Sequence, residues 1–203
     1  MTASGSPSRD SGPAQAGAAP IRAGGWRKLV PDALGLFRLV AAPVLAWLIL
    51  DGRPGAAFWL FLAAGLSDAV DGVLARRLGV VDRFGTFLDP LADKAVMAAV
   101  YVTGAATGLI PWWLSGLVVA RDVLILAVAF GLVFKGRAGQ IRPLAISKIN
   151  TGLQVAYAAL ALLVAAGGPS PAPALRLAAA GLVAATTLLS GLAYARALMR
   201  AGG

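Results

Sequence analysis

Six long apolar stretches fill most of this chain and restrict the folds that it can adopt. Each is close to the roughly 20 apolar residues that a helix needs to cross the hydrocarbon core of a bilayer. The mean hydropathy of +0.79 and the charged share of 13% lie outside the usual range of a soluble domain. The chain is therefore predicted to be all-α, an integral membrane bundle of six transmembrane helices. The predicted spans are residues 33–50, 56–78, 86–107, 111–134, 145–167 and 174–198.

The segments between these stretches are rich in glycine, proline or charge, as turns and loops usually are. They comprise residues 51–55, 79–85, 108–111, 135–143 and 167–173. Residues 1–25 are rich in Ala, Gly, Ser and Pro and contain few large apolar side chains. Such a segment cannot bury a core. We therefore predict a disordered tail over residues 1–25 and one membrane domain over residues 26–203.

The basic residues between the stretches predict the orientation in the membrane. Only Arg53 and Arg176 fall on one side, whereas the other loops and both termini carry the remaining loop Lys and Arg residues. The positive-inside rule then places both termini in the cytoplasm. The net charge of +9 is not arranged as a basic stripe with interleaved aromatics. Anionic lipid head groups, and not nucleic acid, are the expected partner.

The expected location is the inner membrane of a bacterium. The mitochondrial inner membrane is the alternative, because residues 1–25 contain Ser and Arg and almost no acid.

Four Asp residues recur at helical spacing in the second and third stretches. Asp68 and Asp71 are three residues apart, and Asp89 and Asp93 are four apart, so each pair shares one helix face. The short connection between the stretches predicts antiparallel neighbours with both pairs at similar depth, near the cytoplasmic end. Each unpaired carboxylate near the bilayer centre costs about 2.5–3.5 kcal/mol, and like charges repel. The four positions therefore require bound counter-charge.

Divalent metal ions would supply that counter-charge. The chain has no Glu, His or Cys, so an oxygen-only site suits Mg²⁺ or Mn²⁺ and not zinc. Four carboxylates suit two ions, which is a common arrangement in phosphoryl transfer. Arg76 could bind a phosphate oxygen, and the small Gly72 and Ala75 would let a ligand approach the backbone. Two alternatives stay open: structural ion pairs between helices, and a proton or ion path.

The segment from Asp68 to Asp93 reads Asp-x2-Asp-Gly-x2-Ala-Arg-x8-Gly-x3-Asp-x3-Asp. It resembles the signature of the CDP-alcohol phosphotransferases at every fixed position, and the resemblance covers about residues 30–198. It implies a six-helix membrane enzyme, as a homodimer, that transfers a substituted phosphate from a CDP-linked donor to a hydroxyl and releases CMP. A scaffold or transporter that kept the Asp residues is the non-enzymatic alternative.

The resemblance also implies roles for single residues. Asp68, Asp71 and Asp89 are similar to shared ligands of two metal ions, and Asp93 to a ligand that also serves as general base. The positions that line the CDP site in the family correspond to Gly72, Ala75, Arg76 and Gly85. Asp32 and Gly35 depart from the family pattern, in which Asn and a hydroxyl residue face the nucleotide.

A second resemblance concerns the acceptor. Residues 88–94 resemble the branch of the family that contains both phosphatidylglycerophosphate synthases and cardiolipin synthases, and residues 142–154 resemble the CMP-forming cardiolipin synthases. This implies transfer from CDP-diacylglycerol to phosphatidylglycerol, with glycerol 3-phosphate as the alternative acceptor of a phosphatidylglycerophosphate synthase. Candidates for holding the acceptor phosphate are Arg121, Arg142 and Lys148. For Arg121 the equally weighted alternative is a pair with a carboxylate that orients helices, and Ser147 and Asn150 could likewise join helices or bind the acceptor.

Overall fold

The computed structural model describes residues 26–78, 85–134 and 145–202, with burial described for residues 33, 35–67, 91–129, 131 and 145–196. Within these ranges the chain is all-α and forms six helices, in agreement with the predicted fold class. The helices are α1 Trp26–Leu50, α2 Pro54–Leu78, α3 Gly85–Ala106, α4 Trp112–Phe134, α5 Ala145–Ala165 and α6 Pro173–Gly202. The predicted tail and the connections at 79–84 and 135–144 lie outside the described residues.

The predicted ends of the helices agree with the structure to within two residues, except at the start of α1 and the end of α6. Helix α1 begins at Trp26, seven residues before the predicted start, and runs through Pro31. A proline inside a helix removes one backbone hydrogen bond, but membrane helices tolerate this where neighbouring groups satisfy the freed carbonyl. Helix α6 continues to Gly202, since no proline or glycine follows Gly191 until that position.

Three of the predicted turns are confirmed by their backbone geometry. Gly52, Gly108 and Gly167 have φ angles of 71°, 75° and 87°. Side chains with a Cβ rarely adopt this left-handed conformation, so glycine ends α1, α3 and α5. At the α3–α4 corner, the amide of Ile110 donates to the carbonyl of Gly104 at 3.0 Å and folds the chain back.

Three helices are long and apolar enough, over their described residues, to cross a membrane. These segments are Trp112–Ala129, Ala145–Ala165 and Pro173–Arg196. Helices α1 and α2 contribute the shorter apolar segments Gly35–Leu50 and Pro54–Ser67. Large apolar side chains cover the outside, among them Trp112 at 79% exposure, as suits a protein surrounded by lipid. Membrane integration is supported in this way, whereas a crossing by all six helices stays a prediction.

Helix α1 occupies the centre of the N-terminal half. Over the described residues it packs extensively against α3 and α2, whereas α2 and α3 have few contacts with each other. Small buried residues on α1 and α2, namely Ala41, Ala42, Ala57 and Ala64, let the helices approach closely. The sequence predicted that α2 and α3 pack directly against each other. Over the described residues this packing is minor, because α1 packs against both helices. Helices α4, α5 and α6 complete the bundle, with α6 against α4 and α5.

Candidate functional site

The four Asp positions of the signature lie on two helices. Asp68 and Asp71 belong to α2, and Asp89 and Asp93 belong to α3, so both pairs have the helical spacing that the sequence predicted. Asp93 is half-buried and makes an interaction with another group. Arg38 of α1 is buried and also makes an interaction. For the other predicted metal and nucleotide residues the structure describes the helical backbone only. They are Asp68, Asp71, Gly72, Ala75, Arg76, Gly85 and Asp89.

The described side chains include only one of the four signature carboxylates. Among them, no group of three or more His, Cys, Asp or Glu residues could hold a metal ion. Whether the four signature carboxylates suit a metal ion therefore depends on their chemistry as ligands. Four carboxylates on two helices, without His or Cys, fit the hard cations Mg²⁺ and Mn²⁺. The two-ion site stays a prediction that this donor set suits.

A buried ionic cluster begins at the residue that follows Asp93. The Nζ of Lys94 donates to Oδ2 of Asp122 at 2.9 Å, and Nη1 of Arg121 donates to Oδ1 of the same carboxylate at 2.6 Å. The side chains of Arg121, Asp122 and Lys94 are 4%, 10% and 17% exposed. We call these three residues the Lys94–Asp122–Arg121 cluster. Two cations share one carboxylate, so the cluster carries a net charge of +1.

Two serine hydroxyls extend the cluster to the C-terminal helices. Nη2 of Arg121 donates to Oγ of Ser147 and, at 2.7 Å, to Oγ of Ser190. The guanidinium group of Arg121 thus connects α4 to α5 and α6, and the carboxylate of Asp122 connects α4 to α3 through Lys94. This geometry corresponds to the structural alternative for Arg121, whose two terminal nitrogens are both engaged. Of the other predicted acceptor residues, Lys148 is exposed and Arg142 lies outside the described residues.

A ladder of uncharged polar groups continues along the α5–α6 interface. Oδ1 of Asn150 accepts hydrogen bonds from Thr186 at 2.8 Å and from Thr187 at 2.9 Å. Nε2 of Gln154 donates to Oγ1 of Thr187 at 3.2 Å, and the hydroxyl of Tyr101 donates to the backbone carbonyl of Gln154 at 3.0 Å. Asn150, Gln154 and Thr187 are fully buried. Such hydrogen bonds hold membrane helices together where apolar burial gives little preference for one arrangement.

Thr187→Val is expected to destabilise the protein by about 1–3 kcal/mol, because it leaves the buried Nε2 of Gln154 without its acceptor and removes one of the two donors to Oδ1 of Asn150. Thr103→Val is the matched control, since the buried Thr103 hydroxyl donates only to the carbonyl of Ala99 in its own helix. Unfolding in a denaturing detergent measures the difference. Equal loss in the two variants would contradict an interhelical role for Thr187.

A groove of about 190 Å³ runs between α3 and α4 beside the cluster. Lys94 and Asp122 line it, and apolar side chains form the rest of its wall: Leu91, Ala95, Ala98, Val119, Val123 and Leu126. A second cavity, of about 160 Å³, lies at the α3–α4 corner between α5 and α6 and includes Arg176 and Tyr157.

The sequence prediction did not include Lys94 or Asp122 among the functional residues. Both carry charge inside predicted spans, and a charge at that depth requires a partner. The polar residues Ser147, Asn150 and Gln154 recur at helical spacing in an apolar stretch. That periodicity indicates a polar interface on α5. Spacing alone does not identify the partners, which are Arg121 on α4 and Thr186 and Thr187 on α6.

Comparison with known proteins identifies the family. A family model described as CDP-alcohol phosphatidyltransferase matches residues 28–193. The chain belongs to the CDP-alcohol phosphatidyltransferase family, which confirms the resemblance and the enzyme class predicted from the signature.

The chain is similar to proteins that are named for two different activities. It is 34% identical over 149 residues to a probable cardiolipin synthase (CMP-forming) of Drosophila melanogaster, covering 66% of this chain and 46% of that protein. It is 33% identical over 177 residues to a probable phosphatidylglycerophosphate synthase of Mycobacterium tuberculosis, covering 84% of this chain and 82% of that protein. A chloroplastic CDP-diacylglycerol–glycerol-3-phosphate 3-phosphatidyltransferase of rice is 32% identical over 185 residues, covering 81% of this chain and 55% of that protein. The chain thus spans about half the length of the fly and rice proteins.

Proposed function

We propose that this protein transfers a phosphatidyl group from CDP-diacylglycerol to the hydroxyl of phosphatidylglycerol, giving cardiolipin and CMP. The observation that carries the transferase assignment is the complete signature, spread over α2 and α3 inside the family match at residues 28–193. Direct transfer without a covalent intermediate is the proposed route, because the sequence has no His or Cys that could serve as the nucleophile.

The proposed cofactor is a pair of Mg²⁺ or Mn²⁺ ions, held by Asp68, Asp71, Asp89 and Asp93. When bound, such ions would stabilise the negative charge that develops on the phosphate oxygens. Arg76 would bind the phosphate oxygens of the CMP part through its planar guanidinium. Gly72, Ala75 and Gly85 would leave room for the nucleotide at the backbone.

Asp93 is the proposed general base. Its carboxylate would accept the proton of the acceptor hydroxyl, since a neutral hydroxyl is a poor nucleophile at neutral pH. The acceptor oxygen then forms a bond to the phosphorus that carries diacylglycerol, and the bond from that phosphorus to the CMP oxygen breaks. CMP leaves with the electron pair of that bond, and the negative charge is held in part by Arg76.

The lipid acceptor is supported by the resemblance of residues 142–154 to the cardiolipin-forming branch and by similarity to the fly protein. The second candidate is glycerol 3-phosphate. It is favoured by the M. tuberculosis relative, whose match extends over 82% of that protein's length. Both candidates use the same donor and the same Asp residues. A homodimer, an inner-membrane location and cytoplasmic termini stay predictions from the family resemblance and from the loop charges.

The acceptor is tested by giving the purified protein CDP-diacylglycerol and Mg²⁺ or Mn²⁺ with either phosphatidylglycerol or glycerol 3-phosphate. We expect cardiolipin and CMP with phosphatidylglycerol and no product with glycerol 3-phosphate. Phosphatidylglycerophosphate as the sole product would assign the second candidate. If neither acceptor led to CMP release, both candidate functions would be contradicted.

A further inference from the structure

We infer that the groove between α3 and α4 receives one acyl chain of the phospholipid acceptor while Lys94 binds its phosphate. This rests on the proposed function, and it assigns the acceptor to a particular surface of the bundle. The proposed occupant combines an apolar chain with an anionic group, because the groove has apolar walls and its lining includes the cation Lys94, which is paired with Asp122.

The shape and lining of the groove suit an acyl chain. Its α3 wall extends from Leu91 to Ala98, which is about 10 Å along the helix axis. Leu91 is 44% and Val123 is 58% exposed, so the groove is open to the surroundings of the bundle. A chain could therefore enter from the side, from within the bilayer. The part beyond Lys94, towards Ala98, leads away from the Asp signature.

The charge beside the groove suits a phosphodiester. Within the Lys94–Asp122–Arg121 cluster two cations share one carboxylate, and a cation removed from water is favourable only where anionic or polar partners surround it. Arg121 is almost fully enclosed, whereas the Lys94 side chain is 17% exposed and lines the groove. An ammonium group has three donors, and Asp122 takes one of them. Lys94 can therefore donate to a phosphate oxygen without giving up its carboxylate partner.

The position of Lys94 also suits the proposed chemistry. Lys94 follows Asp93 on α3, so the cation and the general base project from the same turn of the helix. In phosphatidylglycerol, three carbon atoms separate the phosphate ester oxygen from the terminal hydroxyl. A phosphate bound by Lys94 would keep that hydroxyl within reach of Asp93. This separates the roles of the two cations: Arg121 orients the helices, and Lys94 recognises the acceptor.

The first test compares Ala98→Phe, which fills the groove, with Ala156→Phe, the same change at an exposed α5 residue that lines neither cavity. Lys94→Gln removes the cation and leaves the neutral Arg121–Asp122 pair, and Lys94→Arg restores the charge. We expect Ala98→Phe and Lys94→Gln to raise the KM for phosphatidylglycerol about tenfold or more. The KM for CDP-diacylglycerol should stay within about threefold, Lys94→Arg should recover most of the loss, and Ala156→Phe should resemble the wild type.

A binding measurement separates this inference from the proposed reaction. Phosphatidylglycerol with a diazirine in one acyl chain should label α3 or α4 peptides of the wild type, and Ala98→Phe should lose that label. Labelling elsewhere, unchanged KM values, or a rise in the KM for CDP-diacylglycerol alone would overturn the inference while leaving the transferase intact. A wild-type protein that makes no cardiolipin but is labelled at the groove would contradict the proposed acceptor reaction and retain the lipid site.

Discussion

Asp93→Asn is expected to lower the rate of CMP release by at least about 10³-fold. General base catalysis alone contributes about 10²–10⁴-fold, and the change also weakens a proposed metal ligand. The fold should persist, because an amide replaces a half-buried carboxylate of the same size. Initial rates of CMP release, together with helix content from circular dichroism, measure both expectations.

Asp51→Asn is the matched control for this prediction. Asp51 pairs with Arg53 at 2.7 Å in the α1–α2 turn, and its side chain is 39% exposed. An exposed pair of this kind contributes about 0–1 kcal/mol, so the control should keep nearly full activity. An Asp93→Asn protein that is folded and nearly as active as the Asp51→Asn protein would contradict the role of Asp93.

Asp122→Asn is expected to give the largest loss of stability, about 3–5 kcal/mol. The substitution leaves the cations of Arg121 and Lys94 close together, without the carboxylate that both contact. Arg121→Gln should cost less, since a neutral Lys94–Asp122 pair remains. The midpoint of unfolding in a denaturing detergent gives the order of the variants.

The order of the variants is the decisive part of this prediction. The expected sequence of stabilities is wild type, then Arg121→Gln, then Asp122→Asn, with the surface control Asp51→Asn close to the wild type. If Arg121→Gln were the least stable, the serine contacts of Arg121 would matter more than charge balance. The account of Asp122 as the shared counter-charge would then be wrong.

The helices were predictable because hydropathy and turn residues are local signals. Gly52, Gly108 and Gly167 each end a helix at the predicted turn. The start of α1 was missed because the predicted span began at residue 33, where the apolar stretch begins, whereas the helix begins at Trp26 and continues through Pro31. The contacts of α1 with both α2 and α3 depend on packing between distant segments, and spacing along the chain does not contain that information.

The predicted metal site comes from a pattern within one stretch of sequence. Asp68, Asp71, Asp89 and Asp93 form that pattern and lie inside the family match at residues 28–193, and their role as ligands stays a prediction. The charge on Arg121 predicted a partner but not which one. Ser190 lies 69 residues away in the chain, and Lys94 reaches Asp122 across 28 residues. Only the arrangement of the helices brings these groups together.

The measurement that tests the central claim most directly is the ratio of CMP to lipid product for the wild-type protein in phosphatidylglycerol bilayers. CDP-diacylglycerol is supplied with Mg²⁺ or Mn²⁺, and a parallel sample contains a chelator. We predict CMP and cardiolipin in equal amounts with metal, and neither product with chelator. CMP without a matching phosphatidyl-transfer product, or equal turnover with chelator, would contradict metal-dependent phosphatidyl transfer by this protein.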